Sequence, residues 1–252
     1  MPPIARRYNN RGPIVFARDV KVTDKDNEYY CATIGCRAKM SIVKVGNIDE
    51  AFFRRLSSSP NHISSNCFRC GLVFDKTKYE ETLFQKDLAF DWLYEKAIQR
   101  PQCPTGKNTN TVGGNIQRIR TLKQIYEMCV TRTKNDRYNG VMINDIFADE
   151  ENFAVYKGAL VNDLIVECSY YKKAFNETAL IMNYPTDFRK PHIHIKLNFA
   201  DKKMFWYNYE QFRDLDHFQP IVIAGNWKPV VGNLEAQFEC EIISSRQLHI
   251  VK

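Results

Sequence analysis

Five residues in two polar stretches of this 252-residue chain carry metal-ligand chemistry: Cys31 and Cys36 in YYCATIGCRAKM, and His62, Cys67 and Cys70 in NHISSNCFRC. Thiolate sulfur and imidazole nitrogen are the donors of closed four-ligand zinc sites, and two ligand pairs on separate loops have the spacing of treble-clef and ribbon-like centres. Two sets satisfy the count. One uses Cys31, Cys36, Cys67 and Cys70; the other is a Cys3His shell in which His62-x4-Cys67 forms the second pair and Cys70 stays outside. A closed shell leaves no open coordination position, so the role expected of the zinc is structural, a clip for a region with little core of its own.

The other cysteines, Cys103, Cys129, Cys168 and Cys240, are scattered and are expected to pack in cores. The N-terminus, MPPIARRYNN, lacks the apolar stretch of a signal peptide, and no window is apolar enough to span a membrane. These features lead to the expectation of a cytoplasmic, soluble protein without disulfides.

The order of elements around the ligands is informative: a strand, Cys-x4-Cys, the strand AKMSIVKV, AFFRR, His-x4-Cys, and then KYEETLFQKDLAFDWLYEKAI. Over roughly residues 14–98 this order resembles the N-terminal zinc-finger region of the competence-protein CoiA-like family. The resemblance favours Cys31, Cys36, His62 and Cys67 as ligands, with Cys70 as the alternate. It also implies a following nuclease domain of the restriction-endonuclease type, which holds Mg²⁺ with an acid and a strand bearing Glu-x-Lys. The nearest counterparts are Asp145 in MINDIF and Asp163 and Glu167 in NDLIVECSYYK. The chain departs from that pattern, because Cys-Ser follows Glu167, and Lys172, five positions on, faces the opposite way on a regular strand. A divergent Mg²⁺ nuclease is therefore the alternative reading rather than the first one.

Other catalytic patterns are weaker. There is no Walker loop and no GxSxG, and AGNW at 224–227 holds one glycine where a phosphate cradle needs several. His192 and His194 share a strand face without an evident third ligand, the arrangement of a solvated edge strand.

Charge is distributed unevenly. The net charge of +7 conceals 23 Lys+Arg against 14 Asp+Glu in residues 1–136, and 13 against 15 in the remainder. A basic half of this kind attracts polyanions through phosphate contacts and counterion release. The candidate phosphate contacts are Lys39, Lys44, Arg54, Arg55 and Arg69 beside the cysteine cluster, continued by Arg118, Arg120 and Lys123.

The elements that must position these residues give an α+β chain. Residues 1–100 are expected to form a zinc-finger domain ending in a helix at about 78–98. QRPQCPTGKNTNTVGG marks a linker at 101–114, and a second helix with a basic face is expected at about 115–134. Closely spaced strand patterns from 138 onward imply a β-rich barrel or sandwich.

The last 60 residues resemble an OB-fold: a strand, a turn at Ala200-Asp201, a strand of aromatics (KMFWYNY), a short helix, PIVIAGNW, and two final strands. That reading makes Trp206, Tyr207 and Trp227, with Phe205 and Tyr209, candidates for stacking bases. The function expected from the sequence is binding of single-stranded DNA or RNA without catalysis. A protein-interaction adaptor in a phage-defence or mobile-element system, with a protein partner, is a further alternative.

Overall fold

The computed structural model describes residues 3–33, 35–48, 50–62, 67, 74–95, 117–160, 162–174, 178–187, 191–231 and 235–251. Arg69, Cys70, Cys103 and the expected linker at 101–114 lie outside the described residues.

The fold is mixed α+β with few helices. An N-terminal five-stranded antiparallel sheet has the order β2-β1-β3-β4-β5, formed by β1 (Ile4–Arg7), β2 (Ile14–Phe16), β3 (Tyr29–Tyr30), β4 (Lys39–Val43) and β5 (Phe52–Arg55). Ala5, Tyr29, Met40, Ile42 and Phe53 bury one small core cluster beneath it. The sheet is tied to the rest of the chain by Arg6, which is buried, donates to Ala32 O (3.1 Å) and Gly12 O (3.0 Å), and pairs with Glu150. Arg18 forms a second tie, to Asp136.

Two helices follow, α1 (Lys86–Tyr94) and α2 (Leu122–Val130), both shorter than their periodicity implies. The expected helix at about 78–98 begins eight residues late because its first turn is already paired. Gln117 N donates to Lys78 O (2.8 Å) and Glu80 N to Gln117 O (3.4 Å), which holds Tyr79 and Glu80 extended between two 3-10 turns. Thr121 sets the start of α2 through a capping box with Gln124, and Thr131 Oγ1 closes its end by donating to Glu127 O (2.9 Å). Short strands β6 (Arg137–Tyr138), β7 (Val141–Met142) and β8 (Phe147–Ala148) and the single-turn helix α3 (Phe153–Tyr156) lead into the C-terminal half.

That half is a closed five-stranded barrel of β9 (Asn162–Lys173), β10 (Ala179–Tyr184), β11 (Ile193–Phe199), β12 (Ile221–Pro229) and β13 (Phe238–Ile242). The ring runs β9-β10-β11-β13-β12 and closes through seven β12–β9 pairs, from Ile221↔Cys168 to Trp227↔Asn162. Neighbours are antiparallel except β11 and β13, which are parallel. β8 extends the sheet beside β9, and β14 (Leu248–Ile250) beside β12.

Strand alternation sorts β9 cleanly. Leu164, Val166 and Cys168 fill the barrel, while Ile165 faces the cluster built by α1 and α2. Gly225 of β12 has no substitute in this packing: a Cβ there would lie 2.8 Å from both Cβ and Sγ of Cys240. Cys129, Cys168 and Cys240 are buried free thiols, and burial raises the pKa of each.

One element differs in kind from its sequence reading. KMFWYNY is not a strand; Lys202–Arg213 form a single helix, α4, between β11 and β12. Asp201 caps it by accepting from Met204 N (2.7 Å), and Phe205, Asn208 and Phe212 turn inward at helical spacing. No helix among the described residues is long and apolar enough to cross a membrane.

Candidate metal centre and barrel face

Cys31, Cys36, His62 and Cys67 converge, each offering one donor atom, and all four donors lie within 4.8 Å of one another. The first pair sits on a tight reversal between β3 and β4. Cys31 N donates to Ala38 O (2.8 Å) and Cys36 N to Thr33 O (3.2 Å), with Gly35 at φ +80° completing the turn. Thr33 N donates to Cys31 Sγ (3.4 Å).

The spacing of the donors is the test of fit. A tetrahedral zinc with bonds of about 2.3 Å to sulfur and about 2.0 Å to nitrogen separates two sulfurs by about 3.8 Å and sulfur from nitrogen by about 3.5 Å. Cys36 Sγ lies 3.6 Å from Cys67 Sγ and 3.5 Å from His62 Nδ1. This Cys3His cluster can hold a metal ion. The three cysteines are buried and His62 half-buried, so the ion would have no broad opening to solvent.

The candidate phosphate contacts fare differently from one another. Lys39 Nζ is bound to Glu28 (2.6 Å), Lys44 Nζ to Glu50 (2.6 Å), and Arg55 donates to Ser59 O (2.8 Å). Lys123 faces Glu127 at 3.9 Å. Arg54, Arg118 and Arg120 have no ion-pair partner among the described residues. Arg37, between Cys36 and β4, is a further exposed cation that sequence reasoning passed over.

The three acids of the nuclease alternative are not gathered. Asp163 Oδ1 accepts from Tyr94 Oη (2.6 Å) and Asn226 Nδ2 (3.1 Å). Burial, followed by that carboxylate, raises the pKa of Tyr94. Glu167, four strand residues and about 13 Å further along β9, is buried and accepts from Tyr126 Oη (2.6 Å) and Thr186 Oγ1 (3.4 Å). Asp145 ends a separate 3-10 turn, Ile143–Asp145. Among the described residues the Cys3His group alone meets the spacing of a metal site.

The aromatic candidates are rearranged. Trp227 is inside the barrel at 1% exposure, its Nε1 donating to Leu164 O (3.0 Å), so it offers no face to a base. Phe205 is buried, whereas Trp206 and Tyr207 are exposed on α4 rather than on a strand. Lys173 Nζ rests 4.5 Å from the Trp206 ring centre.

The barrel's outer face at β10–β11 carries a different aromatic group. The register between β9 and β10 shifts at Ile181/Met182, leaving Tyr171 as an extra residue. Tyr171 stacks on His194 with ring centres 4.6 Å apart at 10°, and His192 meets His194 edge-on at 5.4 Å. The same bulge pairs Lys172 with outward-facing Ile181, overturning the expectation that Lys172 faces away from Glu167. The β12–β13 connection frames the group: Glu235 binds Lys172 Nζ (3.0 Å), and Gln237 N donates to His194 O (2.9 Å). Burial first, then the nearby His192 and Lys172, lowers the pKa of His194. The run SYYKK was the sequence signal for this site, but the bulge that turns Tyr171 outward is not readable from it.

No protein-family profile and no curated protein matches the chain, so the CoiA-like resemblance gains no support there. Among solved structures, one described as an aspartyl-tRNA synthetase from Leishmania major Friedlin aligns at 8% identity and a TM-score of 0.28. The alignment covers 42% of this chain and 20% of that one, and a likeness of that strength carries no argument.

Proposed function

We propose that the protein binds single-stranded nucleic acid on the outer β10–β11 face of an OB-fold barrel, with a structural zinc ion clipping the N-terminal sheet. The observation that carries this reading is the Tyr171–His194 stack on that face, in a barrel of this connectivity. Numbering the barrel strands 1 to 5 along the chain, the ring is 1-2-3-5-4, with strands 3 and 5 parallel and a helix between strands 3 and 4. In OB-folds the face of strands 2 and 3, flanked by the connections 1–2 and 4–5, is where oligonucleotides lie. Here that face presents Tyr171, 49% exposed, with His192 and His194, bordered by the 4–5 connection through Glu235.

Aromatic platforms of this kind stack bases without selecting among them, each stacked base contributing about 1–3 kcal/mol. Phosphate attraction falls to cations without an ion-pair partner among the described residues, among them Arg37, which follows Cys36 directly, and Arg54 on β5. The donor set and spacing of the cluster suit zinc, and its closed shell suits a structural role. No catalytic step is assigned: Asp163 and Glu167 are held by tyrosine hydroxyls and sit apart.

The test is fluorescence anisotropy with labelled single- and double-stranded oligonucleotides across a salt series. The reading expects single-strand preference, affinity that falls as salt rises, and a loss of about fivefold or more in Tyr171→Ala. Affinity indifferent to salt and to Tyr171→Ala overturns it.

A further inference from the structure

A groove of about 410 Å³ runs between α1 and the 118–120 segment and shares no lining residue with the metal centre or the β10–β11 face. Its α1 side leaves Leu88 at 55% and Trp92 at 38% exposure, with Leu83 beside them, an apolar stripe that folding does not cover. Its other side supplies Arg118 and Arg120, neither of which has an ion-pair partner among the described residues. Arg120 instead lies 5.9 Å from the Trp92 ring centre. A third guanidinium, Arg246, lies 4.5 Å from the same ring and is anchored on Trp92 O (3.1 Å) and Glu95 (3.4 Å).

We infer that this groove docks a short acidic, apolar peptide segment of a partner protein. The aliphatic and indole wall suits leucine-like side chains, and the two arginines, without an ion-pair partner among the described residues, suit carboxylates at their flank. Two acids, Asp91 and Glu95, also line the groove; Glu95 is held by Arg246 (3.4 Å), so Asp91 is the charge whose removal must strengthen the interaction. The chain's own connecting stretch, 96–116, holds Lys96, Arg100 and Lys107 and no acid, so by charge it is not the complement of this surface. The inference does not depend on the nucleic-acid reading.

The experiment titrates the intact protein with a fluorescein-labelled peptide alternating Asp or Glu with Leu, and with a counterpart carrying Lys in place of each acid. Anisotropy and tryptophan emission report binding. The expected result is saturable, salt-weakened binding of the acidic peptide alone. Binding weakens at least about fivefold in the double variant Arg118→Glu/Arg120→Glu and tightens in Asp91→Asn. Equal binding of the two peptides, no binding of the acidic one, or indifference to the arginine variants overturns the proposal. So does a single-stranded oligonucleotide that displaces the peptide and loses affinity in the same arginine variants, since the groove would then belong to nucleic acid.

Discussion

Stripping metal from the Cys31, Cys36, His62 and Cys67 site with a chelator is expected to open the N-terminal sheet and leave the barrel closed. A bound ion would join Cys36 and Cys67 across a sequence separation of 31 residues. A cross-link closing a loop of that length restricts the unfolded chain by about 4 kcal/mol in the chain-entropy model. That is a large part of the roughly 5–15 kcal/mol that a domain commands. The sheet has little to replace it with, since its main core cluster contains seven buried residues, two of them alanine. Amide hydrogen exchange with and without EDTA reads the effect locally. Amides of the β3–β4–β5 pairing, such as Cys31 N on Ala38 O and Leu56 N on Lys39 O, should exchange up to about a thousandfold faster on chelation, while β9 and β12 amides keep their protection. Unchanged exchange in β3–β5 on metal-verified protein refutes the clip.

Three further outcomes follow from particular contacts. Arg6→Ala leaves Glu150 without its buried guanidinium and two carbonyls without their donor; urea unfolding should show a loss of about 3–5 kcal/mol, and a loss under about 1 kcal/mol would contradict this account. Gly225→Ala pushes a methyl into Cys240 at 2.8 Å and should cost about 1–3 kcal/mol by the same assay; a neutral effect would show that β12 and β13 move apart freely. His194 has a folded-state pKa below its ordinary value of 6.5, from burial first and then His192 and Lys172. The unfolded chain therefore takes up this proton at higher pH than the folded one. The stability this group contributes is complete above the unfolded pKa and is lost as pH falls through it toward the folded value. Unfolding at about pH 7.5 and about pH 5 should show a larger decline in the wild type than in His194→Gln; equal declines would remove His194 from the account.

The Cys3His cluster was legible because chemistry fixes the types of residue that can hold a metal, and its convergence needed only two short loops. Choosing His62 over Cys70 rested on a family resemblance rather than on spacing; His62 joins Cys31, Cys36 and Cys67 within 4.8 Å, while Cys70 lies outside the described residues. The barrel was legible as closely spaced strands from 138 onward, yet the OB-like order was assigned to the last 60 residues alone, which leaves out β9 and β10, because these read as strands without declaring which partners they pair with. KMFWYNY misled through β-propensity: aromatic residues favour strands on average, but Asp201 as a cap and the inward spacing of Phe205, Asn208 and Phe212 determine a helix. The first helix was overextended because periodicity cannot register the tertiary pairing of 78–80 with Gln117. Tyr171 was invisible for a related reason, since its direction is set by a bulge against β10.

The most direct measurement of the central claim is photo-cross-linking of a bromodeoxyuridine-containing single strand to the intact protein, with the attached peptides mapped by mass spectrometry. The account predicts adducts on the β9 bulge around Tyr171 and on the His192–His194 segment that leads into β11, abolished at that position by Tyr171→Ala. Adducts confined to Trp206 and Tyr207 on α4, or none on the barrel at all, would contradict it.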